Sequence, residues 1–242
     1  MTALPTRRDE AFRYADLAAL APLWPIAVET IHVAAGESGA LTVTVNGSQP
    51  TAQHIAITLD ARATFDLRVL NTGTAYGRIA VTVTLGEGAN FTLGGAQLGG
   101  GEQTLELVTE VTHAAPDAVS RQVVRSVLGG RATGTYLGKV AVRRGADGTD
   151  AGQSVRAMLL DRTATANAKP ELEIYADDVK CAHGCAVGEL DANGLFYLAS
   201  RGLPPAQAKA LMLQAFIAEA FVGAADEDAL NEAALAALEA LV

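Results

Sequence analysis

The sequence predicts a mainly β protein whose core is a solenoid of stacked strands, with helical pieces at both ends. Three observations carry that prediction. From about residue 29 to residue 179 the hydrophobic period is two, in LTVTV from Leu41, HIAITL from His54, TFDLRVL from Thr64 and RIAVTVTL from Arg78. That is the spacing that buries one face of a pleated strand. The pattern runs on through TLELVTEV, SRQVVRSVL, TYLGKVAV, VRAMLL and ELEIYA with no long helical stretch between them. The turn clusters NGS, NTGTAYG, GEGAN and GGAQLGGG come at short, irregular spacing, and some strands are apolar on both faces. Sandwiches and barrels usually announce themselves by two-residue hairpin turns instead. The absence of a fixed repeat length is the one feature that argues against a solenoid.

The elements follow in order. Residues 7–20 space Ala11, Tyr14 or Ala15 and Ala18 as a short helix, which Pro22 and Pro25 end. The strands occupy the middle, with glycine and asparagine at corners that demand positive φ. After Gly188 the period changes to that of helices. A helix over 191–200 is closed by Gly202, a second opens at Pro204-Pro205 and runs to about Val222, and Asp226 is a plausible N-cap for a third. The third carries Leu230, Ala234, Ala237, Leu238 and Leu241 as one stripe, whereas the second is apolar round most of its circumference. That breadth fits a further partner surface or burial between the solenoid end and the last helix. The expected organisation is a helical lead over 1–28, a β-solenoid over 29–188 and a helical unit over 189–242.

Composition narrows the function. Half of the 242 residues are hydrophobic, which fits a folded globular protein. The net charge of −9 disfavours a general nucleic-acid or anionic-membrane surface, because either needs clustered Lys and Arg. The start MTALPTRRDE has no apolar core, and the run 18–28 is broken by two prolines, so neither a signal peptide nor a membrane span is expected. The expected location is the cytoplasm. In that reducing compartment the two cysteines are expected as free thiols or ligands.

Familiar catalytic signatures are missing. There is no GxGxxG after a strand, no HExxH and no GxSxG elbow, and GTYLGKV lacks the spacing and hydroxyl of a P-loop. Asp177-Asp178 is the only adjacent pair of carboxylates considered for sugar cleavage, and neighbours on a strand point to opposite sides. What remains is DDVKCAHGCAVGEL, where Cys181, His183 and Cys185 stand two apart. On one strand they share a face over about 13 Å, too far to close on one metal ion unless the chain turns at Gly184. Thiolate and imidazole are donors that zinc and iron prefer. The alternative is that the cysteines act as small hydrophobes and His183 is a satisfied strand histidine.

The run KPELEIYADDVKCAHGCAVGELDANGLFYLASRGLPPAQA from Lys169 to Ala208 closely resembles the C-terminal signature of the SufB/SufD family of iron–sulfur cluster assembly scaffolds. His113 with the strand at 120–126, GTYLGKVAV, TDAGQ and VRAMLLDRTA agree, so the resemblance covers about 113–222. CxHG followed by LDxxxLFYLxSRG looks like the SufD branch. The resemblance implies a right-handed parallel β-helix with helices at its ends. It also implies a non-enzymatic scaffold subunit that pairs with SufB and docks the ABC-type ATPase SufC through its C-terminal helices, ATP hydrolysis belonging to SufC.

Residue by residue, His183 matches the family histidine thought to face SufB, and Cys181 the neighbouring cysteine at the same seam. A transient iron–sulfur cluster would form between the subunits, with His183, Cys181 and, as an extra donor outside the family pattern, Cys185 as candidate ligands. Arg201, Lys209 and Gln214 are the candidate contacts to SufC. The resemblance leaves open flavin binding and pairing with a second copy of the chain where SufB is missing. The rival reading is a stand-alone metal-binding or thiol-reactive protein that uses Cys181, His183 and Cys185 within one chain.

Overall fold

The computed structural model describes residues 3–73 and 75–241. Among them are twelve strands: β1 (Val28–Val33), β2 (Ser38–Val45), β3 (Thr51–Leu59), β4 (Thr64–Asn71), β5 (Tyr76–Leu85), β6 (Asn90–Gly99), β7 (Thr104–His113), β8 (Val119–Leu128), β9 (Thr133–Val142), β10 (Asp150–Leu159), β11 (Thr165–Ile174) and β12 (Lys180–Gly188). Successive strands alternate between two six-stranded sheets, ordered β1-β3-β5-β7-β9-β11 and β12-β10-β8-β6-β4-β2. Among the described residues all pairings within these sheets are parallel. The chain therefore winds as a β-solenoid of six coils, two strands to a coil, in agreement with the predicted class.

The hidden repeat has a physical cause. Coil-to-coil partners lie 26 residues apart at Ser38 and Thr64, 29 at Gln97 and Ser126, and 32 at Thr135 and Asn167. The drift comes first from strands that lengthen from eight or nine residues to ten, and then from the longer corners that follow β9 and β10. One corner still repeats in conformation. Gly36, Arg62, Gly88, Asp117 and Gly148 all take positive φ, between 57° and 74°. Each donates its backbone N–H to a carbonyl one coil on, as Gly88 does to Pro116 at 2.9 Å. Only glycine adopts that conformation without cost, so Arg62 and Asp117 conceal the column from pattern reading.

Inside, the coils bury Ile55, Leu67, Val81, Leu93, Leu107, Val124 and Val140 as one apolar core. The outer faces differ. Against the odd-numbered sheet lies the N-terminal lead, which is not the single helix expected over 7–20. It is a 3-10 turn (Glu10–Phe12), helix α1 (Leu17–Leu20) and a second 3-10 turn (Ala21–Leu23). Asp16 breaks it by acting as a cap: its carboxylate accepts from the Ala18 and Ala19 amides at 3.1 Å. The lead sits over a buried ion pair between Arg78 and Glu106. Phe12 covers the guanidinium at 4.2 Å, and the Ala11 carbonyl accepts from it at 2.8 Å.

The even-numbered sheet carries α2 (Ala192–Ser200), α3 (Pro205–Ala218) and α4 (Glu227–Glu239). Leu213, Ile217, Phe221, Leu230, Ala234 and Leu238 close a second core over Leu70, Ala96, Leu98 and Val127. The broad apolar surface of α3 is thus used mostly on a sheet face and against α4, not at the solenoid end. Gly94 makes this approach possible: a Cβ there would stand 1.8 Å from the Ala220 carbonyl oxygen. GGAQLGGG is accordingly strand through Gly99, and only its last glycines turn a corner. The NTGTAYG corner includes Thr74, which lies outside the described residues. Asp226 precedes α4 but does not cap it with its side chain; its carboxylate accepts from Thr42 Oγ1 at 2.8 Å.

Candidate functional site

Among the described residues β12 is the last strand of its sheet, paired with β10 on one side and with no strand on the other. Its sequence KCAHGCAVG alternates donors or Val187 with alanine and glycine, so one face is chemically equipped and the other small. The inward face is the equipped one. Cys181 packs against the apolar core, and Cys185 Sγ approaches the Ala168 carbonyl of β11 at 3.9 Å, across the gap between sheets. His183, two residues from each, shares their face. Cys181 is half-buried and every other residue of β12 is exposed, because no further coil covers this end.

Register extends these positions inward as columns. Below Cys181 come Ala151, Ser120 and Phe91; below His183 come Gln153, Gln122 and Leu93; below Cys185 come Val155, Val124 and Gly95. The interior therefore turns from apolar to partly polar towards the open end. His113 Nε2 lies 2.9 Å from Ser120 Oγ there, joining the histidine and the strand at 120–126 that the sequence singled out.

The electrostatics favour protonated thiols. Burial pushes the Cys181 thiol up, with the Asp150 carboxylate adding to the effect against a backbone hydrogen bond at Ala151. Burial alone raises Cys185. Both must lose a proton to act as ligands, which a bound metal ion or a cationic partner group would promote. β12 runs extended through Gly184, so the turn that would fold the three donors onto one ion is not made. Among the described residues no group of three or more His, Cys, Asp or Glu is gathered for a metal ion.

The candidate contacts on the helices are spread out. Arg201 is exposed at the end of α2 with its guanidinium 5.2 Å from the Tyr197 ring. Lys209 is half-buried beside a 270 Å³ cleft with Asp161, Arg162 and Glu189, and Gln214 is half-buried on α3. Pattern reading missed the more conspicuous feature of this unit. Phe196 is 76% exposed and Tyr197 56% exposed on α2, a helix that buries none of its residues. The signal was present, as FYL in so short a helix leaves aromatics without a core to enter. The internal Gln and Tyr side chains were missed too, because register alone brings them together.

The fold and site define a parallel β-solenoid protein with a row of thiol and imidazole donors strung along its open end. The chain belongs to the SufBD core family: the family model for SUF system FeS cluster assembly, SufBD core domain, matches residues 27–216. The chain is 35% identical over 162 residues to Protein ABCI7, chloroplastic, of Arabidopsis thaliana, covering 66% of this chain and 34% of that protein. It is 37% identical over 108 residues to iron-sulfur cluster assembly protein SufD of Escherichia coli strain K12, covering 45% and 26%. SufD of Bacillus subtilis strain 168 is 29% identical over 159 residues, covering 66% and 36%. The matched stretch spans about a third of the length of these relatives. No helix of the described residues is long and apolar enough to cross a membrane.

Proposed function

We propose that this chain is a SufD-like scaffold subunit that pairs with a SufB-like partner through the open end of its solenoid and docks a SufC-type ATPase through its helical unit. The observation that carries the reading is β12 itself, a terminal strand with a free edge whose inward donors are strung out, His183 and Cys185 exposed and Cys181 half-buried. A row of that kind offers one or two ligands to a cluster completed by another chain. The free edges of β11 and β12 offer unpaired backbone N–H and C=O groups to that chain's strands. In this reading the nascent iron–sulfur cluster is cargo. His183 and Cys181 present imidazole and thiol at the seam, with Cys185 as a further donor, and ligands divided between subunits let a shift of the interface loosen the cluster.

The ATPase contacts are proposed on α2 and α3, where Phe196 and Tyr197 join Arg201, Lys209 and Gln214. ATP hydrolysis belongs to the partner. The expected setting is the cytoplasm. Co-expression with SufB-like and SufC-like proteins of the same organism tests the reading, with mass and iron content measured on what co-purifies. The expected result is a complex that survives His183→Ala while losing iron. The opposite result is a chain that purifies alone with its own metal, lost when Cys181 or Cys185 is replaced.

A further inference from the structure

The column beneath His183 changes character along the solenoid. In the second and third coils it is Leu67 and Leu93, wholly buried among apolar neighbours. In the fourth and fifth it becomes a chain of hydrogen bonds. Thr109 Oγ1 donates to Gln122 Oε1 at 3.0 Å and lies 3.0 Å from Tyr136 Oη, and Gln153 Nε2 donates to Tyr136 Oη at 3.2 Å. Gly138 makes room for this chain, since a Cβ there would stand 2.1 Å from Tyr136 Oη.

The chain ends on Gln153. Its Oε1 is fully buried and has no hydrogen-bond partner among the described residues, although it lies one layer from the open end. A buried carbonyl without a donor is an exception that calls for an explanation. The layer above it is supplied by Cys181, His183 and Cys185 of β12 and by Ala168, Pro170 and Leu172 of β11. Of these side chains the imidazole of His183 is the one with a strong N–H donor. His183 is also the in-register neighbour of Gln153, on the same face of adjacent strands.

We propose that Gln153 is a positioning residue for His183: its buried side-chain oxygen accepts the imidazole N–H and holds the ring in one neutral tautomer. The other ring nitrogen, with its lone pair, then faces out of the open end. This is the arrangement by which an outer hydrogen bond fixes which nitrogen of a histidine ligand is free. The role given to the free nitrogen rests on the seam reading above; the hydrogen bond is a property of this chain alone.

The test is nitrogen-resolved NMR of the isolated chain with labelled histidine at about pH 8, above the ordinary histidine range. The chain has four histidines, and the signal missing from His183→Gln assigns the fourth. The expected wild-type result is one dominant tautomer for His183, with a slowly exchanging ring N–H that shows a cross-peak to the Gln153 side chain. Gln153→Leu keeps the volume and removes the acceptor, so the N–H should be lost to solvent exchange and the tautomers should mix. Gln153→Glu keeps an acceptor at the same reach and should retain the protected N–H. An unprotected His183 ring in the wild type, or the same protected signal in Gln153→Leu, would overturn the proposal. So would a cross-peak showing the Gln153 amide donating to the ring. A held ring in a chain whose complex assembles clusters without His183 would leave this inference standing and remove the seam reading.

Discussion

Arg125 of β8 and Glu219 at the end of α3 are joined by two hydrogen bonds into one carboxylate oxygen, from Nε at 2.9 Å and from Nη2 at 2.6 Å. The arginine side chain is 4% exposed and the glutamate 47%. The same guanidinium also donates to the Val124 and Ser154 carbonyls at 2.9 and 2.8 Å. The helical unit is therefore fastened to the solenoid by a charge that belongs to the sheet. Glu219→Ala leaves a buried cation with the Val124 and Ser154 carbonyls and the Ser154 hydroxyl but no countercharge on it. The expected cost is about 1–3 kcal/mol, below that of a fully buried pair because the glutamate is half in water. Hydrogen exchange in α3 should rise more than in β8, and equal rises in both would contradict the fastening role.

Gly94 is where the backbone of the helical unit comes directly against the sheet. Gly94→Ala would place a methyl group against the Ala220 carbonyl and the Arg68 guanidinium, which itself donates to that carbonyl at 2.8 Å. Backbone has to move, so the expected loss is about 2 kcal/mol or more. Urea denaturation of the full chain measures it. A variant as stable as wild type would show that the helices rest on the sheet less tightly than this contact requires.

His113 makes stability depend on pH. The ring is completely buried, and desolvation pushes its pKa down to about 4 from an unfolded value of 6.5. The unfolded chain takes up the proton first, so the stabilisation is fully present above about pH 6.5 and is lost as pH falls towards 4. The gap corresponds to about 3 kcal/mol at most. His113→Gln removes the titration and should shrink the difference in denaturation midpoint between pH 7 and pH 4.5. An undiminished difference would assign the acid sensitivity to carboxylates.

Phe196 and Tyr197 are exposed on a helix that buries nothing. Replacing both with alanine should leave unfolding within about 0.5 kcal/mol of wild type, as for surface changes in general. If α2 is part of the ATPase dock, the same variant should fail to retain the SufC-like subunit in a pull-down. Retention at wild-type stoichiometry would move the dock elsewhere.

The strands were legible because segments such as Leu41 to Val45 alternate strictly, and the helical unit because Gly202, Pro204 and Pro205 punctuate it. The repeat was not, since Arg62 and Asp117 occupy positive-φ corners that glycine holds at Gly36, Gly88 and Gly148. Cys181, His183 and Cys185 could be placed on one strand by their spacing alone. Their open-ended position could not, because it depends on where the stack stops. Gln153 and Gln122 read as ordinary strand residues, and only register, across 31 positions from Gln122 to Gln153 and 30 more to His183, aligns them. The break at Asp16 shows the limit of periodicity, as a capping carboxylate overrode an otherwise helical spacing.

Among the described residues each strand is paired only with strands of the coils immediately before and after it, so the solenoid is a zipper whose cohesion accumulates mainly along a single axis. Interior teeth are held from two sides, whereas β12, like β1, β2 and β11, is held from one, and opening it leaves the rest of the zipper closed. The strand that carries His183 therefore costs less to lift than any interior strand of its sheet.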